Sequence, residues 1–390
     1  MTIFDLCRQM VDYGASDLYL TVARPPMFRI NGAIQPSEGE SFKPDDLVEL
    51  ARAFTSDEQW AEFGEQNELN LAIALPNVSR FRVNVFRQRG SVGMVIRRIN
   101  VEIPSFQQLR LSPILSDIVL AKRGLVLVVG ATGSGKSTTL AAMIDHRNES
   151  QPGHILTIED PIEFVHRHKK SIVTQREVGF DTKSFDSALI QAMRQSPDVI
   201  LIGEIRTAET MQAAMTYAET GHLCLGTLHS NNANQSFERI LNFFPVAQHP
   251  QIVLQLALNL RAVVAQRLLP AMDGGRVPAL EILLDTPFVK ELIKKGHFDE
   301  IKGAMEQGIH EGCQTFDQAL FSLYKDGAIS LDEALANADS ANNLRLKIKL
   351  AGLKIDQEEP LPEVKAPAAE TDKGMVPDRS KPAGVLRIRR

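Results

Sequence analysis

The sequence predicts an α/β protein with two sheet-containing regions and a helical carboxyl-terminal part. Between residues 124 and 228, short apolar runs are separated by segments long enough for helices: Leu125–Val129, Ile155–Ile158, Val199–Ile202 and Leu223–Leu228. Such runs are typical of parallel strands that are buried on both faces of a doubly wound sheet. The segment Arg80–Phe86 alternates between polar and apolar residues instead, which indicates a strand with one buried face.

The first hundred residues predict a small α/β domain. Apolar residues recur at helical spacing near the amino terminus, and a strand is predicted at Asp17–Val22. Met27–Ile30 lies between a Pro-Pro pair and an Asn-Gly pair, which predicts a short hairpin. The alternating segment turns back into a second predicted strand, Gly93–Ile99.

The remainder of the chain predicts a sheet core, a helical region and a tail. The pattern becomes helical beyond Phe288, and from about Gln357 onward Pro, Ala, Lys and Glu dominate. That composition cannot bury enough apolar surface to offset chain entropy, so we expect a disordered tail. The predicted parts are a domain at 1–100, a linker at 101–113, the sheet core at 114–288, a helical subdomain at 289–355 and the tail at 356–390.

Composition excludes several classes of protein. The 390 residues carry 43 Lys and Arg against 48 Asp and Glu, a net charge of −5, which argues against a nucleic-acid-binding protein. Cys7, Cys224 and Cys313 are too scattered for a structural zinc site, and scattered thiols are typical of a reducing compartment. The apolar stretch Ile252–Ala265 is too short and too interrupted to span a membrane, and residues 1–11 lack a signal-peptide core. We expect a soluble, cytoplasmic protein without direct membrane insertion.

A phosphate-binding loop follows the first apolar run. Eight residues fit the pattern G-x-x-x-x-G-K-[ST]: Gly130, Ala131, Thr132, Gly133, Ser134, Gly135, Lys136 and Ser137. An apolar strand precedes them and a helix follows, so backbone N–H groups and the helix dipole would surround phosphate oxygens. Lys136 would contact the β- and γ-phosphates, and the Ser137 hydroxyl would ligate Mg²⁺. This motif predicts binding of ATP with Mg²⁺ and its hydrolysis.

Acidic residues follow two of the predicted strands. The sequence after Ile155–Ile158 includes Glu159, Asp160 and Glu163, at the sheet edge where open α/β folds bind ligands. A carboxylate there could orient or deprotonate the attacking water, although a solvated loop is an equally good interpretation of these acids alone. Glu204 ends the run Val199–Ile202 in a Walker B arrangement and is the predicted Mg²⁺ residue.

Two histidines and a group of arginines are further candidates. His222 and His229 flank a predicted strand at an odd spacing, which argues against a shared metal, and one of them could sense the γ-phosphate. Taken alone, each is more simply a surface or core histidine. Six arginines crowd one hairpin without evident local partners: Arg80, Arg82, Arg87, Arg89, Arg97 and Arg98. Such a cluster is usually a solvated face, but in a ring-forming ATPase it could supply arginine fingers to a neighbour.

Taken together, these motifs resemble the secretion ATPase superfamily, and specifically the type IV pilus retraction ATPases of the PilT/PilU family. The matching segments are Gly130–Thr138 (Walker A), Thr157–Phe164 (Asp box), Ser196–Arg206 (Walker B) and Thr220–Asn231 (His box). The resemblance implies a PAS-like N-terminal domain, a RecA-like P-loop ATPase domain and assembly into a homohexamer.

The resemblance also implies roles for individual residues. Glu163 would be the catalytic base, Glu204 the Walker B acid, and His222 and His229 nucleotide-sensing residues. Thr138 would belong to the nucleotide-binding set, and Arg82 and Arg97 would reach the nucleotide from the N-terminal domain. The implied partners are a PilT retraction motor and the inner-membrane pilus platform protein, with peripheral association at that membrane and no zinc.

One segment departs from the family pattern. PilT-type motors carry a helix of the kind A-I-R-N-L-I-R-E, whereas the corresponding stretch here is Phe288–Lys295, F-V-K-E-L-I-K-K. This departure and the Pro- and Lys-rich tail favour the PilU branch, the accessory motors that depend on PilT. The alternatives are an assembly or secretion ATPase of the same superfamily, which typically carries a tetracysteine zinc element, and a nucleotide-gated regulatory subunit with little turnover. A nucleic-acid translocase is disfavoured by net charge.

Overall fold

The structure is a computed structural model that describes residues 2–30, 32–75, 78–99 and 102–353. The predicted tail at 356–390 lies outside the described residues. Within them the chain forms two sheets that follow each other in sequence. The second sheet is followed by a set of helices, so the predicted α/β class is confirmed.

The first sheet has six antiparallel strands in the order β3-β2-β1-β6-β5-β4. Its strands are β1 (Asp17–Leu20), β2 (Met27–Ile30), β3 (Ala33–Pro36), β4 (Glu68–Leu75), β5 (Ser79–Gln88) and β6 (Ser91–Ile99). Three helices accompany it: α1 (Ile3–Asp12), α2 (Pro44–Arg52) and α3 (Asp57–Gln66). The predicted hairpin strands are confirmed, whereas β4 and the helices α2 and α3 were not predicted.

Alternation decides which face of this sheet is buried. Phe81, Val83 and Val85 on β5 are fully buried, while the intervening Arg80 and Arg82 point to the partly exposed face. The arginine-bearing face of the sheet is therefore the one left open by the local core.

The helix α1 begins with a capping box, in which the side chain of Thr2 accepts a hydrogen bond from the amide of Asp5 and the carboxylate of Asp5 accepts one from the amide of Thr2.

The second sheet has seven strands in the order β13-β12-β7-β11-β10-β8-β9. Its strands are β7 (Gly124–Val129), β8 (Gly153–Glu159), β9 (Ser171–Glu177), β10 (Val199–Ile202), β11 (Leu223–Leu228), β12 (Leu260–Pro270) and β13 (Arg276–Leu284). All neighbours pair in parallel except β12 and β13. The four apolar runs are confirmed as four of the parallel strands.

Helices cover both faces of this sheet. They are α4 (Ile114–Val119), α5 (Lys136–Ser150), α6 (Phe185–Ala192), α7 (Ala208–Glu219), α8 (Ala233–Leu241), α9 (His249–Asn259), α10 (Pro287–Lys295), α11 (Ile301–Gln307), α12 (Phe316–Lys325), α13 (Leu331–Ala336) and α14 (Ala341–Leu350). Val126 and Val128 of β7 belong to the core under α4 and α5, whereas Leu125, Leu127 and Val129 belong to the core on the opposite face. The strands β7 and β10 are therefore buried and without polar side chains along their whole length, whereas β11 carries one polar residue, Thr227.

The apolar stretch Ile252–Ala265 is divided between two elements. Its first part lies in α9 and its second part in β12, which begins at Leu260. Periodicity cannot separate a buried helix from a buried strand in such a run, so the strand β12 was not predicted. Among the described residues, no helix combines the length and the apolar composition that crossing a membrane requires.

Candidate nucleotide site

The phosphate-binding loop joins β7 to α5. Gly135 is the N-cap of α5 with a φ of 87°, in the left-handed region that favours glycine. Gly130 has a φ of 153°, and a Cβ at this position would lie 2.6 Å from the main-chain oxygen of Gln266. A side chain at either position would thus be strained, so the two glycines are required by the path of the loop.

Lys136 lies over this loop. Its Nζ atom donates to the carbonyl oxygens of Gly130 and Ala131, each at 2.9 Å. Burial lowers the pKa of Lys136, and the negative charges of Glu204 and Glu163 oppose that shift. The Oγ atom of Ser134 is buried and makes no hydrogen bond within the described part of the chain. One loop thus carries the ammonium of Lys136, the unpaired hydroxyl of Ser134 and the start of a 15-residue helix. This combination suits the binding of a chain of phosphates.

The predicted acids lie at the same edge of the sheet. The strand β10 pairs in parallel with β8, and Ile202 is opposite Ile158, so the segments after the two strands are neighbours. Glu163 and Glu204 line one cavity of about 580 Å³ together with Lys136, Ser137 and Thr138. The structure therefore brings together the loop lysine, the loop serine and both acids that the sequence analysis selected.

Glu204 is held by two neighbouring side chains. Arg206 donates from Nη2 to Glu204 Oε2 at 2.5 Å, and His229 Nε2 lies 3.1 Å from Glu204 Oε1. The hydrogen bond from Arg206 lowers the pKa of Glu204, against a smaller opposing effect of burial. The carboxylate is therefore ionised at neutral pH, as a metal ligand must be.

Glu159 differs from Glu204 in the direction in which its surroundings shift its pKa. It is half-buried, and its Oε1 atom accepts from Thr157 Oγ1 at 2.6 Å and from Gln175 Nε2 at 3.3 Å. Burial raises the pKa of Glu159 to about 7. Since the neighbouring charge of Glu163 adds to this shift, the two carboxyl groups share one electrostatic environment.

The site fits a magnesium ion bound jointly with a nucleotide. The Ser137 hydroxyl and the Glu204 carboxylate line the same cavity, and oxygen ligands are the kind that Mg²⁺ prefers. Within the described ranges, no group of three or more His, Cys, Asp or Glu residues could hold a metal by itself. Mg²⁺ usually keeps several waters and takes its other ligands from phosphates, so two protein oxygens are sufficient.

The two histidines lie at opposite ends of β11. Leu228 is paired with Val129, so His229 comes next to the start of the phosphate loop and lines the cavity. Leu223 is paired with Gly124 at the other end of β11, which is about 20 Å from His229 because the strand is six residues long. His222 lies there, with Nδ1 3.1 Å from Thr220 Oγ1 and 3.2 Å from the carbonyl of Tyr217. The expectation that His222 binds nucleotide is therefore not supported within one chain, because the strand separates it from the loop.

The expectation that the arginine hairpin lacks partners is wrong for three of its six arginines, Arg80, Arg87 and Arg97. Arg97 Nε donates to Asp17 Oδ1 at 2.7 Å, and Arg80 Nη2 lies 3.8 Å from Glu177 Oε2. Asp17 and Glu177 are distant in sequence, which is why they could not be found by inspecting the hairpin. Arg87 stacks over the ring of Phe63 at 5.3 Å.

Neither Arg82 nor Arg97 lines the cavity formed by the described residues, although Arg97 lies within electrostatic range of Glu163. They are directly opposite each other on β5 and β6, and Asp17 of β1 is opposite Arg97 on the other side. The hydrogen bond to Asp17 raises the pKa of Arg97, and the charge of Glu163 adds to the effect. This face of the first sheet therefore lies near the acids of the second.

Several residues of the site were not predicted. Arg206, Thr227, Leu268 and Arg276 line the cavity, and Gln266 lies directly behind the phosphate loop. Arg206 could have been found, since it follows Glu204 by two residues at a strand end. Gln266, Leu268 and Arg276 carry no local signal, because their positions depend on β12 lying beside β7.

Comparison with known proteins agrees with this geometry. Residues 3–333 match the family described as type II/IV secretion system protein. The chain belongs to this family. It is 52% identical over 346 residues to the type IV pilus ATPase PilU of Pseudomonas aeruginosa, covering 88% of this chain and 91% of that protein. It is 40% identical to PilT of the same organism, a type IV pilus retraction ATPase, over 88% of this chain and all of that protein.

The solved structures agree as well. The crystal structure of the pilus retraction motor PilT with bound ADP superposes with a TM-score of 0.83 at 41% identity, covering 89% of this chain and 99% of that one. The resemblance to the type IV pilus retraction ATPases of the secretion ATPase superfamily is thereby confirmed, and so is the prediction of a secretion-family ATPase. The domain boundaries and the roles of individual residues remain predictions.

Proposed function

We propose that this chain is an ATP-hydrolysing motor of the type IV pilus machinery that drives or assists pilus retraction, and hence twitching motility. The observation that carries the proposal is one cavity that joins the phosphate loop to Glu163 and Glu204. Similarity to PilU and PilT over 88% of the chain supports the assignment to retraction. The higher identity to PilU and the departure at Phe288–Lys295 favour an accessory motor.

Hydrolysis requires that the triphosphate be held while a water attacks its γ-phosphorus. Backbone N–H groups of the loop and the ammonium of Lys136 would hold the phosphate oxygens, so Lys136 would exchange its two carbonyl acceptors for phosphate. Ser137 and Glu204 would hold Mg²⁺, whose charge offsets that of the phosphate oxygens. Phosphoryl transfer depends mainly on such positioning and electrostatics.

Glu163 is the proposed general base. It is exposed to the cavity, whereas Glu159 is half-buried with its Oε1 atom already hydrogen-bonded to Thr157 and Gln175. Glu163 would orient the water and accept its proton as the oxygen attacks the γ-phosphorus, while the bond from that phosphorus to the β–γ bridging oxygen breaks and ADP leaves. His229, beside Glu204, would report whether a γ-phosphate is present, and Arg82 and Arg97 would add positive charge from the first sheet.

We further propose a homohexamer that works with a PilT motor at the inner-membrane pilus platform, on the cytoplasmic side. Light scattering with ATP and Mg²⁺ tests the assembly directly. A particle that remains monomeric at micromolar concentration under these conditions would contradict this part of the proposal.

ATP turnover tests the site. Lys136→Ala should abolish hydrolysis because it removes the only lysine that lines the cavity formed by described residues. Glu163→Gln should still bind ATP but should lower kcat by about 10²-fold or more. The exposed residues Lys183 and Glu219 provide matched controls, Lys183→Ala and Glu219→Gln, which should hydrolyse ATP normally. Turnover at the wild-type rate in both site variants would refute the assignment.

Retraction in cells separates an accessory motor from an autonomous one. Pilus retraction should be absent in cells that carry this protein as the sole retraction motor, and restored to full force when a PilT motor is added. The Lys136→Ala variant with PilT should give less force than the wild type with PilT. Retraction by the protein alone would identify an autonomous motor instead.

A further inference from the structure

Gln266 is a buried residue of β12 that contacts the phosphate loop and does not itself line the cavity of Glu163 and Glu204. Its side-chain amide makes two hydrogen bonds: Nε2 donates to the carbonyl oxygen of Ser134 at 2.7 Å, and Oε1 accepts from Thr139 Oγ1 at 2.7 Å. Only 4% of Gln266 and 1% of Thr139 is exposed. Because a carbonyl can only accept, the Ser134 bond fixes which end of the amide faces the loop.

The bond to Ser134 sets the direction of the following N–H group. A trans peptide is planar, so the carbonyl of Ser134 and the N–H of Gly135 point in opposite directions. Holding the carbonyl towards β12 therefore turns the Gly135 N–H towards the other side of the loop. Among the residues that the structure describes, none accepts a hydrogen bond from this N–H.

The packing leaves little freedom for another arrangement. A Cβ on Gly135 would lie 2.8 Å from Nε2 of Gln266, so the amide lies directly against the loop. The main-chain oxygen of Gln266 is equally close to Gly130 at the other end of the loop, where a Cβ would lie 2.6 Å away. Thr139 lies one turn into α5, and its amide donates to the carbonyl of Gly135 at 3.0 Å.

We infer that Gln266 is a positioning residue for nucleotide binding: it fixes the Ser134–Gly135 peptide so that the Gly135 N–H is directed at a phosphate oxygen, and Thr139 fixes the amide of Gln266. The inference rests on the proposed function, since it assumes that a nucleotide phosphate occupies the loop. A preorganised donor costs no rearrangement when the anion binds. Without Gln266 the peptide could rotate, and binding would have to restore its orientation.

Variants of this hydrogen-bonded chain separate positioning from packing. Gln266→Met keeps the length of the side chain and removes both hydrogen bonds, and Thr139→Val removes only the bond that orients the amide. Thr139→Ser retains a hydroxyl and should rescue. The matched control is Gln314→Met, since the Gln314 side chain donates to the carbonyl of Leu280 at 2.8 Å and lies outside the nucleotide cavity.

The measurements are the Kd of ADP and of ATP with Mg²⁺ for the full chain, KM and kcat for ATP, and the melting temperature without nucleotide. Gln266→Met should raise Kd and KM about 5- to 20-fold, as expected for one buried hydrogen bond, while kcat changes less than threefold. Thr139→Val should raise Kd about two- to fivefold, and Thr139→Ser should be within twofold of wild type. Gln314→Met should lower the melting temperature without changing Kd.

The inference would be overturned if both Gln266→Met and Thr139→Val lowered the melting temperature but bound nucleotide with the wild-type Kd. That result would show that the amide only packs the loop. If Gln266→Met does not fold, Thr139→Val and its serine rescue decide by the same criterion. If the wild type itself binds no adenine nucleotide, the proposed function is refuted. If the wild type binds nucleotide and substitution of Gln266 leaves Kd unchanged, only the inference about Gln266 is refuted.

Discussion

Glu281 is a buried acid outside the nucleotide cavity, and the effect of burial on its ionisation can be tested quantitatively. It lies on β13 with 3% of its surface exposed, and its Oε1 atom accepts the amide of Ala233 at 2.8 Å, at the start of α8. Burial raises the pKa of Glu281 from 4.5 to about 7, with Arg267 and Lys302 opposing the shift and Asp339 adding to it. The perturbation is Glu281→Gln, which keeps the acceptor and removes the charge.

The sign follows from proton linkage. Between pH 4.5 and 7 the folded state holds its proton more tightly than the unfolded state, so the free energy of unfolding falls as pH rises through this window. A shift of that size corresponds to about 3–4 kcal/mol at most, since one pKa unit is about 1.4 kcal/mol. Glu281→Gln should therefore be more stable than wild type at pH 8 by up to about 3–4 kcal/mol, and equally stable near pH 4.5.

Urea unfolding at several pH values measures this difference. The chain has one tryptophan, Trp60, which lies in α3 beside the first sheet, so circular dichroism of the helices is the better probe of the region around Glu281. Glu306→Gln, at an exposed position, is the control and should show no such pH-dependent gain. A Glu281→Gln protein that is less stable than wild type at pH 8, or whose advantage does not vary with pH, would show that burial does not raise the pKa of Glu281 as described.

Two further predictions concern the histidines and the arginines. His229→Ala should lower kcat at least tenfold because it removes the partner of Glu204 at the cavity. His222→Ala should change only stability, by about 1 kcal/mol, through its lost hydrogen bonds. Equal loss of turnover in both variants would contradict the placement of His229 at the cavity and of His222 away from it. Arg97→Ala and Arg82→Ala should both lower kcat, but only Arg97→Ala should also destabilise the protein, by about 1 kcal/mol, because the buried Asp17 loses its nearest cation and keeps Arg29 at 3.4 Å. Thermal melting together with ATPase rates checks this, and equal stability of the two variants would argue against the Asp17 contact.

The parts of the site that could be predicted are those whose chemistry is local in the sequence. Lys136 and Ser137 follow a glycine-rich turn between a strand and a helix, and Glu204 directly follows a strand, so a few consecutive residues define each one. Parallel strands end at a common edge of the sheet, which brings these separate signals together without any knowledge of strand order.

The parts that could not be predicted depend on strand order and on contacts distant in sequence. Gln266 lies behind the loop because β12 pairs with β7, and no pattern within residues 260–270 indicates that neighbour. His222 and His229 look alike in sequence, and only the direction of β11 relative to the loop separates them. Asp17 is 80 residues from Arg97, so the hydrogen bond between them is invisible in the hairpin itself.

Glu177 connects the two sheets at the point where the acidic loop begins. It is 2% exposed, its Oε2 atom accepts the amide of Ile162 at 3.3 Å, and the same atom lies 3.8 Å from Arg80 Nη2. Burial raises the pKa of Glu177, while the Ile162 amide, Arg80 and Arg82 lower it. Ile162 directly precedes Glu163, the proposed base. A displacement of the first sheet would therefore change the charge around Glu177, and with it the hydrogen bond that holds the loop of Glu163.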